Sequence, residues 1–98
     1  IDRFQQVTDW PIVAVERRWA GLRSFAPDRL PVYGADPEPR GFVWFAGQGG
    51  FGIQTAPAAA RLTAQMLLGR ERDAMTARID PEIYAPARLR ARAEALSA

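Results

Sequence analysis

The chain has 98 residues, of which 48% are hydrophobic and 24% are charged, and its formal net charge is +2. This composition indicates one small globular unit and excludes a disordered chain, and no run of about 18 apolar residues is available to span a membrane. Cysteine and histidine are absent and all 13 basic residues are arginine, which excludes from this chain disulfides, thiolate nucleophiles, imidazole bases, Schiff-base lysines and the usual zinc sites.

The first twelve residues predict little regular structure of their own. Ile1, Phe4 and Val7 recur at helical spacing. Residues 1–12 are therefore interpreted as the end of a helix that begins upstream, followed by a linker. The chain opens on Ile1 without a methionine, which indicates a piece of a longer polypeptide. No secretory leader is visible, and a cytoplasmic location is expected.

Residues 13–57 are predicted to hold the strands and a glycine-rich loop. The β-branched and aromatic residues of 13–25 favour a strand that enters near residue 13. The prolines and glycines between residues 27 and 41 predict turns, with room for one short strand in LPVYG. The continuous apolar run GFVWFAG predicts a strand at 42–46 that is buried on both faces and central in its sheet.

Residues 53–69 predict a helix. An apolar stripe recurs there at helical spacing, and it consists of Ile53, Ala56, Ala60, Ala64, Leu67 and Leu68. Pro57 is tolerated in the first turn, and Gly69 is suited to end the helix because glycine adopts a left-handed backbone without a Cβ penalty. The small alanines on the stripe imply a close approach to a sheet or another helix. Residues 70–98 are interpreted as a polar tail, with an irregular docked segment in DPEIYAPARL and a short fraying helix at its end.

Gly47, Gly49 and Gly52 have the G-x-G-x-x-G spacing of a dinucleotide-binding fingerprint. A tight turn without a ligand explains the same glycines, and a dinucleotide site also requires a second parallel strand and an acidic residue about 20 positions later. Glu71 and Asp73 have that spacing, but the sequence around them contains no apolar run for the strand. We therefore reject the fingerprint. A glycine loop before a helix still favours an anionic or electron-rich planar group, such as a phosphate or the pyrimidine edge of a reduced flavin.

Arg23 lies within the otherwise apolar stretch WAGLRSF. An arginine in this setting is either a surface residue whose stem covers apolar neighbours or a pocket residue that holds a carboxylate. The spacing alone leaves both interpretations open.

The stretches WAGLRSFAPDRLPVYG and GFVWFAGQGGFGIQTAP together resemble the C-terminal end of the FAD-dependent D-amino-acid oxidase superfamily. Within it they are similar to D-amino-acid dehydrogenases and glycine or sarcosine oxidases, and most of all to bacterial D-arginine dehydrogenases. The later stretch DPEIYAPARL also resembles the tail of the D-arginine dehydrogenases. The resemblance covers residues 16–90. It implies an α+β fold in which strands, a glycine-rich turn and one long helix form the C-terminal fragment of a two-domain FAD-dependent oxidoreductase and pack on the missing part.

The resemblance also implies roles for individual residues. Arg23 would bind the substrate carboxylate, and the Gly21 carbonyl would receive the substrate amine. The glycine loop would line the flavin of FAD through Gly49, Gly50, Phe51, Gly52, Ile53 and Gln54. No catalytic residue beyond Arg23 and no metal is expected in this segment, because hydride transfer from the α-carbon is the chemistry of the cofactor.

The implied function is the oxidative deamination of a D-amino acid, or of a glycine- or sarcosine-like amine, by the enzyme to which this segment belongs. Its expected partners are the amino acid and the missing N-terminal FAD-binding portion, in the same polypeptide or in a separate chain, and the segment alone is expected to be inactive. A small non-redox module that binds an anion or a nucleotide is the alternative. A nucleic-acid partner, suggested by Arg88, Arg90 and Arg92, is not expected because Glu94 and scattered acidic residues dilute the basic patch.

Overall fold

A computed structural model describes residues 1–97 of the chain. The regular elements are α1 Asp2–Gln5, β1 Val32–Ala35, β2 Val43–Ala46, α2 Gly52–Leu67, a 3-10 helix Pro81–Tyr84 and α3 Ala87–Ser97. The radius of gyration is 18.4 Å, whereas a compact chain of about 100 residues has a radius near 13 Å. Much of the chain is therefore not packed against itself.

The two strands form an antiparallel hairpin in which Tyr33 lies opposite Phe45 and Gly34 lies opposite Trp44. The Tyr33 and Phe45 rings stack with their centroids 4.9 Å apart. Asp36 fixes the connection, because its carboxylate accepts the Trp44 indole N–H at 2.8 Å. The hairpin confirms the short strand predicted in LPVYG and the strand predicted at 42–46.

Two predictions about the sheet are wrong. Residues 8–26 contain no strand, because β-branched residues favour an extended backbone but a strand also needs a neighbour for its hydrogen bonds. No other strand lies beside this segment within residues 1–97. The strand β2 is not central either: it pairs only with β1, and its side chains are half-buried or exposed rather than buried on both faces.

Helix α2 confirms the helix predicted at 53–69, and Gly69 follows its last turn with a left-handed φ of +61°. Within residues 1–97, however, the predicted apolar stripe is not the face that packs on the sheet. Leu62, only 1% exposed, is on the packed face, whereas Ile53 on the stripe is 97% exposed. Nine residues separate these two positions, which places them about 180° apart around the helix. The helix therefore has two apolar faces, and the described chain covers one of them.

The tail after α2 is docked by polar contacts. Thr76 is fully buried and donates to the Gln65 side chain at 2.7 Å, and Arg61 pairs with Asp73. The 3-10 helix begins where the Asp80 carboxylate accepts the Glu82 N–H at 3.0 Å. The segment DPEIYAPARL is thus not irregular throughout, because it contains the 3-10 helix and the first residues of α3, while α3 itself lies where the sequence predicts a helix at the end of the tail.

Arg88 fastens α3 to the turn that precedes β1. Its Nε donates to Asp28 Oδ2 at 2.7 Å and its Nη2 donates to Asp28 Oδ1 at 3.1 Å. The same guanidinium donates to the carbonyls of Leu30 and Pro31 at 2.9 and 3.0 Å. The hydrogen bonds from Arg88 to the Asp28 carboxylate are the main cause that lowers the pKa of Asp28 from 3.8 to about 2, and the Leu30 N–H adds to this effect.

The core is small for the length of the chain. Its buried hydrophobic residues are Ala26, Val32, Tyr33, Ala59 and Leu62. Trp19, Trp44 and Phe45 are exposed. None of the helices in residues 1–97 has the length and hydropathy that crossing a membrane requires.

We predict an acid-sensitive contribution to stability from Asp28. The pKa of this carboxyl is lower in the folded chain than in the unfolded chain, so its contribution is present above about pH 4 and is lost as the pH falls toward 2. In the protein that carries this chain, Asp28→Asn should flatten the fall in melting temperature between pH 5 and pH 2. Glu94→Gln, which alters an exposed carboxylate of α3, is the control. Equal acid sensitivity in wild type and Asp28→Asn would contradict the prediction.

Candidate functional site: the glycine loop and Arg23

The loop between β2 and α2 depends on glycine at two positions. Gly47 and Gly49 have φ angles of +71° and +55°, in the left-handed region that side chains with a Cβ rarely adopt. The Phe51 N–H then donates to the Gln48 carbonyl at 3.1 Å, and the chain turns directly into α2. The sequence thus forms a tight strand-to-helix turn.

The segment that contains Arg23 lies against this loop. The Gly49 N–H donates to the Ser24 carbonyl at 3.1 Å, and a Cβ on Gly49 would lie 2.5 Å from Cε1 of the Phe25 ring. A Cβ on Gly50 would lie 3.1 Å from Nη1 of Arg23. The small size of these two glycines lets Phe25 and Arg23 contact the loop backbone.

Six of the eight residues that the sequence assigns to the site line one cleft of about 430 Å³. They are Arg23, Gly49, Gly50, Gly52, Ile53 and Gln54. Arg23 is exposed and forms no ion pair within residues 1–97. Its guanidinium is therefore available to a ligand in the cleft.

The first turn of α2 adds backbone donors to the same cleft. Phe51 is the N-cap residue and its side chain caps no N–H group. The first hydrogen bond of the helix is the one that the Thr55 N–H donates to the Phe51 carbonyl at 3.0 Å. The N–H groups of Gly52, Ile53 and Gln54 precede that bond and have no acceptor within the helix. Together with the helix dipole, they favour negative charge at this end of α2.

The lining of the cleft decides which chemistry it can perform. It includes a guanidinium, an amide side chain and backbone, but no carboxylate. Such a lining can bind and orient an anionic or electron-rich group, but it contains no carboxylate, imidazole, thiol or lysine side chain to act as a general acid or base.

Gly21 and Phe51 are not brought into the cleft. Gly21 lies in the extended segment, and a Cβ there would have no heavy atom within 4 Å, because nothing in residues 1–97 packs on that part of the segment. The Phe51 side chain lines a different cavity, of about 290 Å³, together with Tyr33 and Thr55. The roles expected for Gly21 and Phe51 remain predictions.

Three further residues shape the loop and its surroundings without belonging to the predicted site. Phe25 follows Arg23 by two positions, so side-chain alternation in an extended segment could have placed both on one side. Ser24 contributes only its carbonyl, which no sequence pattern reveals. Tyr33 is buried and its hydroxyl has no hydrogen-bond partner within residues 1–97. Burial raises the pKa of Tyr33, and the nearby Thr55 hydroxyl partly offsets this effect.

Comparisons with known proteins point to one family. The sequence model of the family described as FAD dependent oxidoreductase matches residues 1–66. A glycine oxidase of Pseudomonas aeruginosa is 41% identical over 69 residues, which are 70% of this chain and 18% of that protein. A glycine oxidase of Bacillus subtilis is 37% identical over 57 residues, which are 58% of this chain and 15% of that protein. The chain thus spans less than a fifth of the length of these relatives. No solved structure gives a significant match.

We predict that Gly49→Ala destabilises the loop more than Gly69→Ala. Both residues have a left-handed φ, but an alanine Cβ at position 49 would overlap the Phe25 ring, whereas the space around Gly69 is open. Overlap in a packed site costs about 1–3 kcal/mol, and the free energy of unfolding should differ between the variants by that amount. Chemical denaturation measures it.

A second substitution tests the assigned cause. Replacing Phe25 by leucine in the Gly49→Ala background removes the ring that the new Cβ would meet, so part of the lost stability should return. Equal destabilisation by Gly49→Ala and Gly69→Ala, with no recovery on Phe25→Leu, would show that the ring does not constrain the loop.

Proposed function

The chain belongs to the family of FAD-dependent oxidoreductases, and we propose that its cleft is part of a site where an amino acid is oxidised by a flavin. The observation that carries this proposal is the meeting of Arg23 with five glycine-loop residues in one cleft. The two elements are about 25 residues apart in sequence, and the hydrogen bond from Gly49 to Ser24 holds them together.

Arg23 is proposed to bind the substrate carboxylate. Its guanidinium offers two parallel charge-assisted hydrogen bonds to such a group, which fix the orientation of the substrate as well as its position. A fixed carboxylate also fixes the α-carbon attached to it, and orientation of this kind makes a large contribution to rate. The Gly21 carbonyl is proposed to receive the substrate amine.

The residues present fit a flavin. Gly49 and Gly50 line the cleft without placing a side chain in it, and a Cβ at position 50 would reduce the room beside the Arg23 guanidinium. The N–H groups of Gly52, Ile53 and Gln54 favour an electron-rich edge and the negative charge that accumulates on reduction. FAD, when bound, accepts a hydride from the α-carbon of the substrate. The protein then needs only to bind and orient, which agrees with a cleft that has no acid or base.

The proposed overall reaction converts an amino acid to an imino acid. The α-carbon loses a hydride, the amine nitrogen loses a proton, and the released imino acid is hydrolysed to a keto acid and ammonia. The relatives that match are named glycine oxidases, whereas the motif resemblance favours D-arginine dehydrogenases. We propose a D-amino acid or glycine as the substrate, and a panel of both classes, with oxygen and with an artificial electron acceptor, distinguishes them.

A further flavin-binding portion is proposed as the partner of this segment, in the same polypeptide or in a separate chain. Two observations support it. The outer face of α2 is apolar and uncovered by residues 1–97, and Trp19 in the extended segment is 82% exposed. Apolar surface of this extent on one small unit is typical of an interface.

We predict that Arg23→Ala weakens substrate binding in the flavin-loaded protein. Loss of a charged bidentate contact costs about 2–4 kcal/mol of binding free energy, so KM for the amino acid should rise steeply. Arg23→Lys should recover only part of this loss, because an ammonium group cannot form the planar fork. Arg17→Ala, which removes an exposed arginine of the same segment, is the matched control. Unchanged KM in Arg23→Ala across the substrate panel would remove Arg23 from the site.

We predict that Gly50→Val lowers the flavin content of the purified protein. The added side chain would occupy space in the cleft and displace the Arg23 guanidinium. Ala93→Val, at an exposed position of α3 away from the cleft, is the control and should leave the content unchanged. The ratio of flavin absorbance to protein absorbance measures the effect. A protein that contains no flavin in its wild-type form, but binds inorganic phosphate in the cleft, would instead support the non-redox alternative.

A further inference from the structure

Arg88 makes the densest set of contacts between α3 and the rest of the chain. Its guanidinium donates two hydrogen bonds to the Asp28 carboxylate, between 2.7 and 3.1 Å, and two more to the carbonyls of Leu30 and Pro31. The Arg88 side chain is only 17% exposed. Charge-assisted contacts of this number and burial hold a turn in one geometry.

The turn that Arg88 holds leads directly to the segment that contains Arg23. The Arg29 N–H closes the turn on the Ala26 carbonyl at 2.8 Å. The Arg29 guanidinium carbon lies 5.1 Å from the centroid of the Phe25 ring, within the range of a cation–π contact. The Phe25 ring in turn lies against Gly49. A continuous series of contacts therefore runs from α3 to the glycine loop.

We propose that Arg88 is a positioning residue for Arg23: by holding the turn at Asp28, it fixes the segment 23–26 against the glycine loop. This inference rests on the proposed function, because it assigns Arg88 an effect on how tightly Arg23 binds the substrate carboxylate. Arg88 does not line the cleft, so its effect acts through the turn and Phe25.

Arg90 provides a matched comparison on the same helix. Its guanidinium donates to Asp36 at 2.8 Å and to the Glu38 carbonyl at 2.6 Å, so it also attaches α3 to the body of the chain. Its contacts lie at the β1–β2 connection rather than at the turn beside Arg23, and its side chain is 47% exposed. Both arginines thus attach α3 to the rest of the chain, but only Arg88 contacts the turn at Asp28.

The test compares an amino acid with its α-amide in the flavin-loaded protein that carries this chain. The substrate is glycine or D-arginine, whichever is oxidised, and the amide lacks the charge that Arg23 would bind. Arg88→Ala should lower the ratio of kcat/KM for the acid to kcat/KM for the amide by about tenfold, because small displacements of a binding group are costly. Arg90→Ala should leave this ratio near the wild-type value, even where it lowers the melting temperature.

Hydrogen exchange gives a readout that does not depend on activity. The Gly49 amide is bonded to the Ser24 carbonyl, so loosening of the segment 23–26 should speed its exchange in Arg88→Ala and not in Arg90→Ala. Where Arg88→Ala does not yield folded protein, the isosteric Asp28→Asn supplies the same test from the other end of the contact, and Arg88→Lys should show an intermediate effect.

The outcomes separate this inference from the proposed function. Equal acid-to-amide ratios and equal Gly49 exchange in Arg88→Ala and Arg90→Ala would overturn the positioning role. The proposed function would survive that result if Arg23→Ala still abolished the preference for the acid. A wild-type protein without such a preference, and unaffected by Arg23→Ala, would overturn both.

Discussion

The hydrogen bond from the Gly49 N–H to the Ser24 carbonyl is the constraint on which the candidate site depends. It exists because Gly49 adopts a left-handed backbone and leaves room for the Phe25 ring. Without it, Arg23 would belong to an extended segment that has no strand beside it, and the contact of the Phe25 ring with Gly49 would have to hold that segment at the loop. This backbone contact therefore brings two motifs that are distant in the sequence together in one cleft.

The two apolar faces of α2 explain why so much of this chain is exposed. Ala59 and Leu62 pack on the hairpin, while Ile53 and the alanines on the opposite side lie in solvent. A helix that is apolar on both sides is suited to a position between two layers. The described chain supplies one layer, which accounts for its small core and large radius of gyration, and the proposed flavin-binding portion would supply the other. The glycine loop lies at the end of that helix, where the two layers would meet.

The sequence predicted local features well and long-range contacts poorly. The helix at 52–67, its stop at Gly69, the strand at 43–46 and the short strand in LPVYG were readable because each depends on neighbouring residues. The strand near residue 13 was wrong because its formation depends on a partner strand elsewhere. The Arg88–Asp28 contact joins residues 60 positions apart, and no periodicity or motif connects them. Five of the six candidate site residues that line the cleft are near neighbours in the sequence, so only the approach of Arg23 to them is a long-range contact.

The glycine spacing shows how a motif can match for a reason other than its usual ligand. Gly47 and Gly49 are needed for the turn itself, since both have positive φ angles, and this requirement holds whether a phosphate or a flavin lies nearby. A dinucleotide site adds a second strand after the helix, and residues 70–97 contain a 3-10 helix and α3 but no strand. The G-x-G-x-x-G pattern therefore indicates a backbone geometry. The ligand that binds there depends on which residues the rest of the fold places opposite the start of the helix. Here that neighbour is Arg23, whose guanidinium suits the carboxylate of the proposed amino-acid substrate.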